Sequence, residues 1–376
     1  LNKDFKVPKL RFPGHKKKYC RSSLAALTDI PIYGLNVSAI TYDGTNRYIR
    51  ITDIDNETHE LIDTGETSPA DFSSKYLLGE GDLLFARTGA SVGKTYFYQS
   101  NKEKQYFAGY LIKFHFKNQI TGKYVFYFTQ TKNYKNWVST FSKRSGQSGI
   151  NAEEYSKLKL YIPVIKEQEL IVQFLEDLDK KLNIVRTKLA ILKKYRKGIV
   201  NKWFSNNEIT INFDNLVVNK PSPLLTSHIV DNDGVFPVYD ASGNIFKTVD
   251  FYRTNNDSIA IIKYGSSCGR AFIAKGKHSV LGTMTELIPN HDEDLLYLYA
   301  FTISNSFKSI CKKYTEVGTT PNLYFSDYSK ADVYYPSEKK TFINAIDRLL
   351  KLENNLKAKL EKLSKIKLYL LSNLFI

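Results

Sequence analysis

The constraint that dominates this chain is an apolar ladder that occurs twice. Between Glu167 and Phe204 the apolar residues fall at Ile171, Leu175, Leu178, Leu182, Val185, Leu189, Leu192, Ile199 and Trp203, in steps of three and four. Arg196 occupies the one slot that breaks the pattern. Such a heptad seam specifies a helix that packs along another helix. The ladder recurs at Phe342, Ile346, Leu349, Glu353, Leu356, Leu360, Leu363, Lys367, Leu370 and Leu374, with Lys367 matching Arg196. A 3.5-residue period sustained this long asks for a partner helix, and the other copy supplies it.

At 376 residues the chain has room for two or three domains, each able to bury its own core. Lys and Arg number 54 against 38 Asp and Glu, a formal net charge of +16, so a polyanion is the expected partner. With 26 Tyr and 23 Phe this is a folding sequence, not a basic tail. Cys20, Cys268 and Cys311 are too scattered for a disulfide framework, which fits a reducing cytoplasm. No run approaches a membrane span, and no leader pattern opens the chain, so a cytoplasmic protein without membrane contact is expected.

Taken in order, VPKLRFPGHKKKYC reads as an extended arm. Strand signals follow in YIRITDID, GDLLFARTG, KTYFY and YLIKFHF, then helical text from Lys123 to Ser142 with Tyr124, Phe128, Tyr134 and Trp137 on a core face. A polar loop and a short strand, KLKLYIP, precede the first long helix, which begins after Pro163. A second β-rich segment from about Ile209 to Tyr335 keeps the same landmarks. GDLLFARTGASVGK aligns with DSIAIIKYGSSCGR, setting Gly89, Ser91, Gly93 and Lys94 against Gly265, Ser267, Gly269 and Arg270. Farther on, SGQSGINAEEYSKLKLYIP aligns with VGTTPNLYFSDYSKADVYYP.

The fold class expected is therefore α+β: two mixed, mainly β domains separated by two long helices that form an antiparallel coiled coil, with a pseudo-twofold internal repeat. The boundaries fall at 1–162, 163–205, 206–336 and 337–376. The antiparallel sense follows because the first helix leaves domain one and the second starts at domain two. Each helix spans on the order of 50 Å at 1.5 Å per residue, about one and a half turns of B-DNA. The predicted seam comprises Leu175, Leu178, Leu182, Val185, Leu189, Leu192, Ile346, Leu349, Leu356, Leu360, Leu363 and Leu370.

Catalytic motifs fail on inspection. Gly89-Ala-Ser-Val-Gly93-Lys94-Thr95 has Thr88 where a P-loop needs its first glycine, and strand rather than helix follows it. The G-x-S-x-G strings around Ser91 and Ser267 lack the strand-turn-helix context of a nucleophile elbow and read as turns between strands. No N-P-P-Y or D-P-P-Y tetrapeptide, nucleoside-binding glycine loop or metal-ligand spacing is present. The chain is expected to be neither an enzyme nor a metalloprotein.

Turns tipped with Ser, Thr, Lys or Arg present donors to phosphates and base edges, and the loop KRSGQSGIN adds Arg and Gln, the residue types that read guanine and adenine. On the helices, Lys180, Lys181, Lys188, Lys193, Lys194, Arg196 and Lys197 are a further basic hint of DNA or simply the solvated face of a coil.

With the repeats located, the chain resembles the specificity subunits of type I restriction-modification systems. The resemblance rests on PKLRFPG, YIRITDID, GDLLFARTGASVGK and above all YIPVIKEQELIVQFLEDLDKKL, and it covers essentially the whole chain. The second copy departs from it, with YYPSEKK lacking the Pro-x-x-x-Glu-Gln form. The resemblance implies that each β domain is a target recognition domain reading half of a bipartite, asymmetric site in double-stranded DNA, and that the helices set the spacer. It implies a non-catalytic subunit without a cofactor of its own. Its partners would be two modification subunits that use S-adenosylmethionine to methylate adenine N6, and restriction subunits that use ATP and Mg. The residues expected at DNA are Arg47, Arg87, Thr88, Ser91, Lys94, Arg144, Gln147 and Ser148 in the first domain. In the second they are Lys263, Tyr264, Ser266, Ser267, Arg270, Thr319, Thr320 and Asn322. The competing readings are a coiled-coil interaction scaffold without base-specific recognition and a stand-alone enzyme with an unrecognised cofactor site.

Overall fold

The computed structural model describes residues 5–62, 65–100, 103–142, 149–206, 208–229, 234–315 and 321–376. Two helices dominate it: Ile165–Trp203, of 39 residues, and Lys339–Leu374, of 36. Contacts divide the chain into a first unit, Leu1–Ile184 with Leu360–Ile376, and a second, Val185–Lys359. The division falls inside each long helix rather than at its ends, because each unit builds its core partly from the helix segments it holds.

In the first unit a four-stranded antiparallel sheet runs in the order Ile32–Tyr33, Leu111–His115, Asp82–Ala86, Thr95–Phe97. The apolar run Leu83 to Ala86 makes Asp82–Ala86 a central strand buried on both faces. Helices Gln119–Phe128 and Lys132–Ser142 pack on it through Tyr124, Val125, Phe128 and Tyr134. The same core takes in Ile171, Leu175, Leu178 and Leu182 from one long helix and Leu370, Leu371 and Leu374 from the other. The start of one helix thus meets the end of the other, which is antiparallel packing.

The expected extended arm is partly a strand: Tyr19–Ser23 lies between Phe5–Lys6 and Lys159–Ile162 in a three-stranded sheet. The strand expected through YIRITDID stops at Ile49. Beyond it Asp53 accepts from the backbone and guanidinium of Arg50, at 2.9 to 3.0 Å, and the chain turns. Side-chain competition for backbone donors ends the strand there.

The second unit repeats the sheet. Its order is Val217–Pro221, Met284–Pro289, Ser258–Ile262, Ala271–Ala274, again antiparallel and again with the central strand wholly buried. A smaller sheet orders Ile245–Val249, Phe236–Tyr239 and Ser279–Val280. Helices Leu295–Thr302 and Asn305–Thr315 cover the large sheet, with Phe301, Phe307 and Tyr328 in one core with Val200, Phe204, Phe342 and Ile346 of the long helices and their ends.

Of the seam positions, Leu175, Leu178, Leu182, Val185, Leu189, Ile346, Leu349 and Leu370 are buried, while Leu192, Leu356, Leu360 and Leu363 are half-buried. Among the described residues no helix is long and apolar enough to cross a membrane.

Candidate nucleic-acid interface

In each unit the glycine-framed segment joins two antiparallel strands. Asp82–Ala86 pairs with Thr95–Phe97, and Ser258–Ile262 with Ala271–Ala274, so each is a strand-turn-strand and neither is a P-loop nor an elbow. The last glycine of each turn has positive φ, +84° at Gly93 and +79° at Gly269. Space excludes a side chain as well. A Cβ on Gly93 would lie 2.7 Å from a methyl of Val138, and one on Gly269 would lie 3.0 Å from Cys311.

The first turn is pinned from below by the aromatic residue of the repeated Tyr-Ser-Lys string. Tyr155 donates its hydroxyl to the Ala86 carbonyl at 2.7 Å and accepts from Gly93 N–H at 3.2 Å, while Tyr134 donates to the Gly93 carbonyl at 3.0 Å. Burial pushes the Tyr134 and Tyr155 phenols up, which keeps them neutral donors. In the second unit Tyr328 occupies the matching string and is buried, but its hydroxyl meets no partner among the described residues.

The turn and the polar loop preceding the long helix, separate in sequence, meet in both units. Thr88 bridges Gly149, and Ile150 N–H donates to the Arg87 carbonyl at 2.9 Å. In the second unit Tyr264 bridges Asn322, Gly265 N–H donates to Pro321, and Leu323 N–H donates to Lys263 at 2.8 Å. This brings Lys263, Tyr264, Ser266, Ser267 and Asn322 to one surface, where Ser266, Ser267 and Arg270 are exposed. Tyr264 and Tyr324 stand edge to face, both exposed, with the Lys263 ammonium over the Tyr264 ring. Desolvation draws the Lys263 ammonium below its ordinary range. Arg144, Gln147, Ser148, Thr319 and Thr320 lie outside the described residues.

In the first unit Arg87, Thr88 and Ser91 sit at the turn, half-buried. The Arg87 guanidinium stacks over Tyr33, and its Nε meets no acceptor among the described residues. Two expected contacts do not fit. Arg47 is buried on a strand paired with Lys104–Phe107; its guanidinium donates to Glu103 at 3.1 Å and to the Ile62 carbonyl at 2.6 Å, and Glu66 lies 3.6 Å away. Lys94 turns its ammonium toward the carbonyls of Ile54, at 3.2 Å, and Ile51, at 3.5 Å. Both hold the domain together instead of facing outward.

A Ser–His–Glu group that sequence reasoning missed lies in the second unit. The Nε2 of His278 lies 2.7 Å from Glu286 and 3.1 Å from Ser258, and its Nδ1 lies 2.8 Å from the Gly276 carbonyl. A catalytic relay needs serine and carboxylate on opposite ring nitrogens. Here they share one, and all three side chains are buried, so the group is structural. Burial alone would raise the Glu286 carboxyl, but hydrogen bonds from His278, Ser258 and Thr254 bring it below the ordinary range. Among the described residues no group of three or more His, Cys, Asp or Glu could hold a metal.

The family model for the type I restriction modification DNA specificity domain matches the chain twice, over residues 34–194 and 204–362. The chain belongs to this family. Each match contains one copy of the strand-turn-strand unit. Among curated relatives, the putative type I restriction enzyme MjaX specificity subunit of Methanocaldococcus jannaschii is 29% identical over 136 residues, 35% of this chain and 32% of the relative. The type I restriction enzyme MjaVIII specificity subunit of the same organism is 22% identical over 134 residues, 35% of this chain and 30% of the relative. These alignments span about a third of each relative's length. The fold is that of the type I restriction-modification S subunit from M. genitalium, with a TM-score of 0.71 at 17% identity over 99% of both chains.

Proposed function

We propose that this chain is the DNA-reading subunit of a type I restriction-modification complex, with each β domain reading one half of a bipartite, asymmetric duplex target. The observation that carries this reading is the duplicated surface where a Ser- and Arg- or Lys-bearing turn meets the loop before a long helix. Arg87, Thr88 and Ser91 supply it in the first unit, with Lys263, Tyr264, Ser266, Ser267, Arg270 and Asn322 in the second. Bidentate and hydroxyl donors of these types read base edges and phosphates.

The helices set the spacer between half-sites. A helix of 39 residues is about 58 Å long at 1.5 Å per residue. They also dock two modification subunits, a role supported by the exposed apolar side chains of Leu170, Ile184, Ile191 and Tyr195. Those subunits bring S-adenosylmethionine and methylate adenine N6, and restriction subunits bring ATP and Mg, in the cytoplasm.

The test is single-molecule methylome sequencing of a host carrying this chain with its modification subunit, against a host lacking only this chain. A bipartite methylated adenine motif that depends on the chain is the expected result. Its absence, with an active modification subunit, would leave a coiled-coil scaffold as the account.

A further inference from the structure

The second unit contains a cleft of about 680 Å³ beneath the glycine turn. One wall is the turn itself, Ser266 to Ala271; another is helix Asn305–Thr315; the third is the first long helix from Lys193 to Val200. Tyr299, Thr302 and Ile303 complete the lining. Among the described residues six bases line it, Lys193, Arg196, Lys197, Arg270, Lys308 and Lys312, and no acidic residue does. Arg196 is matched by Glu353, and Arg270 donates to the Ser242 carbonyl at 3.0 Å. The lysines remain exposed.

Lys193 and Lys197 stand one helical turn apart on the first long helix, and like charges at that spacing repel. Lys308 and Arg270 add charge of the same sign to the cleft and raise its potential further. A cleft of about 480 Å³ in the first unit, away from that unit's glycine turn, mixes both signs, with Glu60, Glu80, Glu176 and Asp179 against Lys123 and Lys180.

We infer that this cleft holds the phosphodiester backbone of duplex DNA alongside the half-site read by the second unit. The turn's Ser266, Ser267 and Arg270 stand at one edge of the cleft, so a strand reaching them continues past Lys308 and along Lys193 and Lys197. These contacts carry affinity and position, and no base information. The inference rests on the DNA-recognition reading above. It extends the contact surface from the turn to the long helix, choosing DNA contact over a merely solvated face for Lys193 and Lys197.

The experiment compares the full chain with its triple variant Lys193→Gln, Lys197→Gln, Lys308→Gln, all exposed positions. Affinity for a random-sequence duplex is measured against salt concentration. Each phosphate contact contributes about 0.9 to the slope of log affinity on log salt, so the variant's slope is expected to be shallower by about two to three. The matched Lys→Arg triple variant retains the slope, which separates lost charge from lost fold. Lys340→Gln, Lys357→Gln and Lys362→Gln, exposed and outside the cleft, remove equal charge with a smaller effect. A slope equal to wild type, or one lowered as much by this control set, overturns the inference and leaves recognition standing. A wild-type chain without salt-dependent DNA binding overturns the recognition reading itself. Tripolyphosphate that binds the wild type but does not compete with duplex assigns the cleft to a free polyphosphate and also overturns the inference.

Discussion

The guanidinium of Arg196 donates to the carboxylate of Glu353, at 2.7 Å from Nε and 3.4 Å from Nη2, across the two long helices of the second unit. Both residues stand in slots of the heptad ladder that an apolar residue would otherwise fill, and Glu353 is only 2% exposed. In the first unit Lys367, the other basic interruption, lies 2.6 Å from Asp179. Each interruption of the seam is thus one half of an ion pair. An antiparallel pair of leucine ladders can slide by a heptad at small cost, and a buried polar pair at one level penalises every other register.

Glu353→Ala leaves the Arg196 guanidinium with its partner gone in a low-dielectric seam, so a loss of about 3 kcal/mol is expected. The double variant Arg196→Leu, Glu353→Leu is expected to melt no lower than wild type, while gaining alternative helix registers. Thermal melting gives the first outcome, and spin-label distances across the helix pair give the second. A double variant with one sharp distance would remove the register argument.

A second buried carboxylate, Glu167, ties the arm to the start of the first long helix. Arg11 grips it with Nε and Nη2 at 2.7 and 2.8 Å, and Tyr19 donates at 3.1 Å. Gln168 caps the geometry by donating to the Pro163 carbonyl at 2.8 Å. Arg11→Ala should cost about 3 kcal/mol, since a buried charge loses its partner. Adding Glu167→Gln should recover part of that loss in a denaturant titration. No recovery would mean that Arg11 acts by packing over the Tyr19 ring, 5.3 Å away, rather than by charge.

These pairs mark where sequence reading stops. The strings PKLRFPG and YIPVIKEQEL were each legible, because proline, glycine and a Glu-Gln pair at a helix start are local signals. That Arg11 meets Glu167 is not local, for the two lie 156 residues apart. The seam was legible for the opposite reason, as periodicity reports which face is buried without reference to any partner. Arg47 misled because a charged residue in a short strand looks solvent-facing. Its partners, Glu103 and the Ile62 carbonyl, lie 56 and 15 residues away and are not local signals. The glycine turns were recognised, but their meeting with the loops at Gly149 and Asn322 required the strands to be placed first.

The two glycines of the first turn separate backbone strain from crowding. Gly89 has φ of +65° and open space, with nothing within 4 Å of where a Cβ would stand, whereas at Gly93 Val138 stands 2.7 Å away. Gly89→Ala is expected to cost about 1 kcal/mol, the left-handed penalty alone. Gly93→Ala adds a steric clash and should cost at least about 2 kcal/mol. Shortening Val138 to Ala in the second background should return the difference, as read by melting temperature. Equal losses for the two glycines would show that the close approach to Val138 yields without cost.

The Glu286 carboxyl gives the second unit a dependence on pH whose sign follows from its partners. Its folded-state proton affinity is depressed: burial raises it, and hydrogen bonds from His278, Ser258 and Thr254 outweigh burial. A depressed carboxylate contributes stability that is present in full above its unfolded-state pKa, about 4.3, and lost as pH falls through the lower folded-state value. Glu286→Gln removes the contribution at every pH and leaves Ser258 and His278 facing a neutral amide. At neutral pH the variant should be less stable by about 1–3 kcal/mol, the cost of leaving buried hydrogen-bonding groups poorly matched. Below pH about 4 the wild type surrenders its own advantage, so the gap between the two should narrow steadily on acidification. Urea unfolding of both proteins across this range measures the gap directly. A gap that stayed constant from neutral pH to acid would show that Glu286 works through packing and hydrogen-bond geometry, with no contribution from its charge.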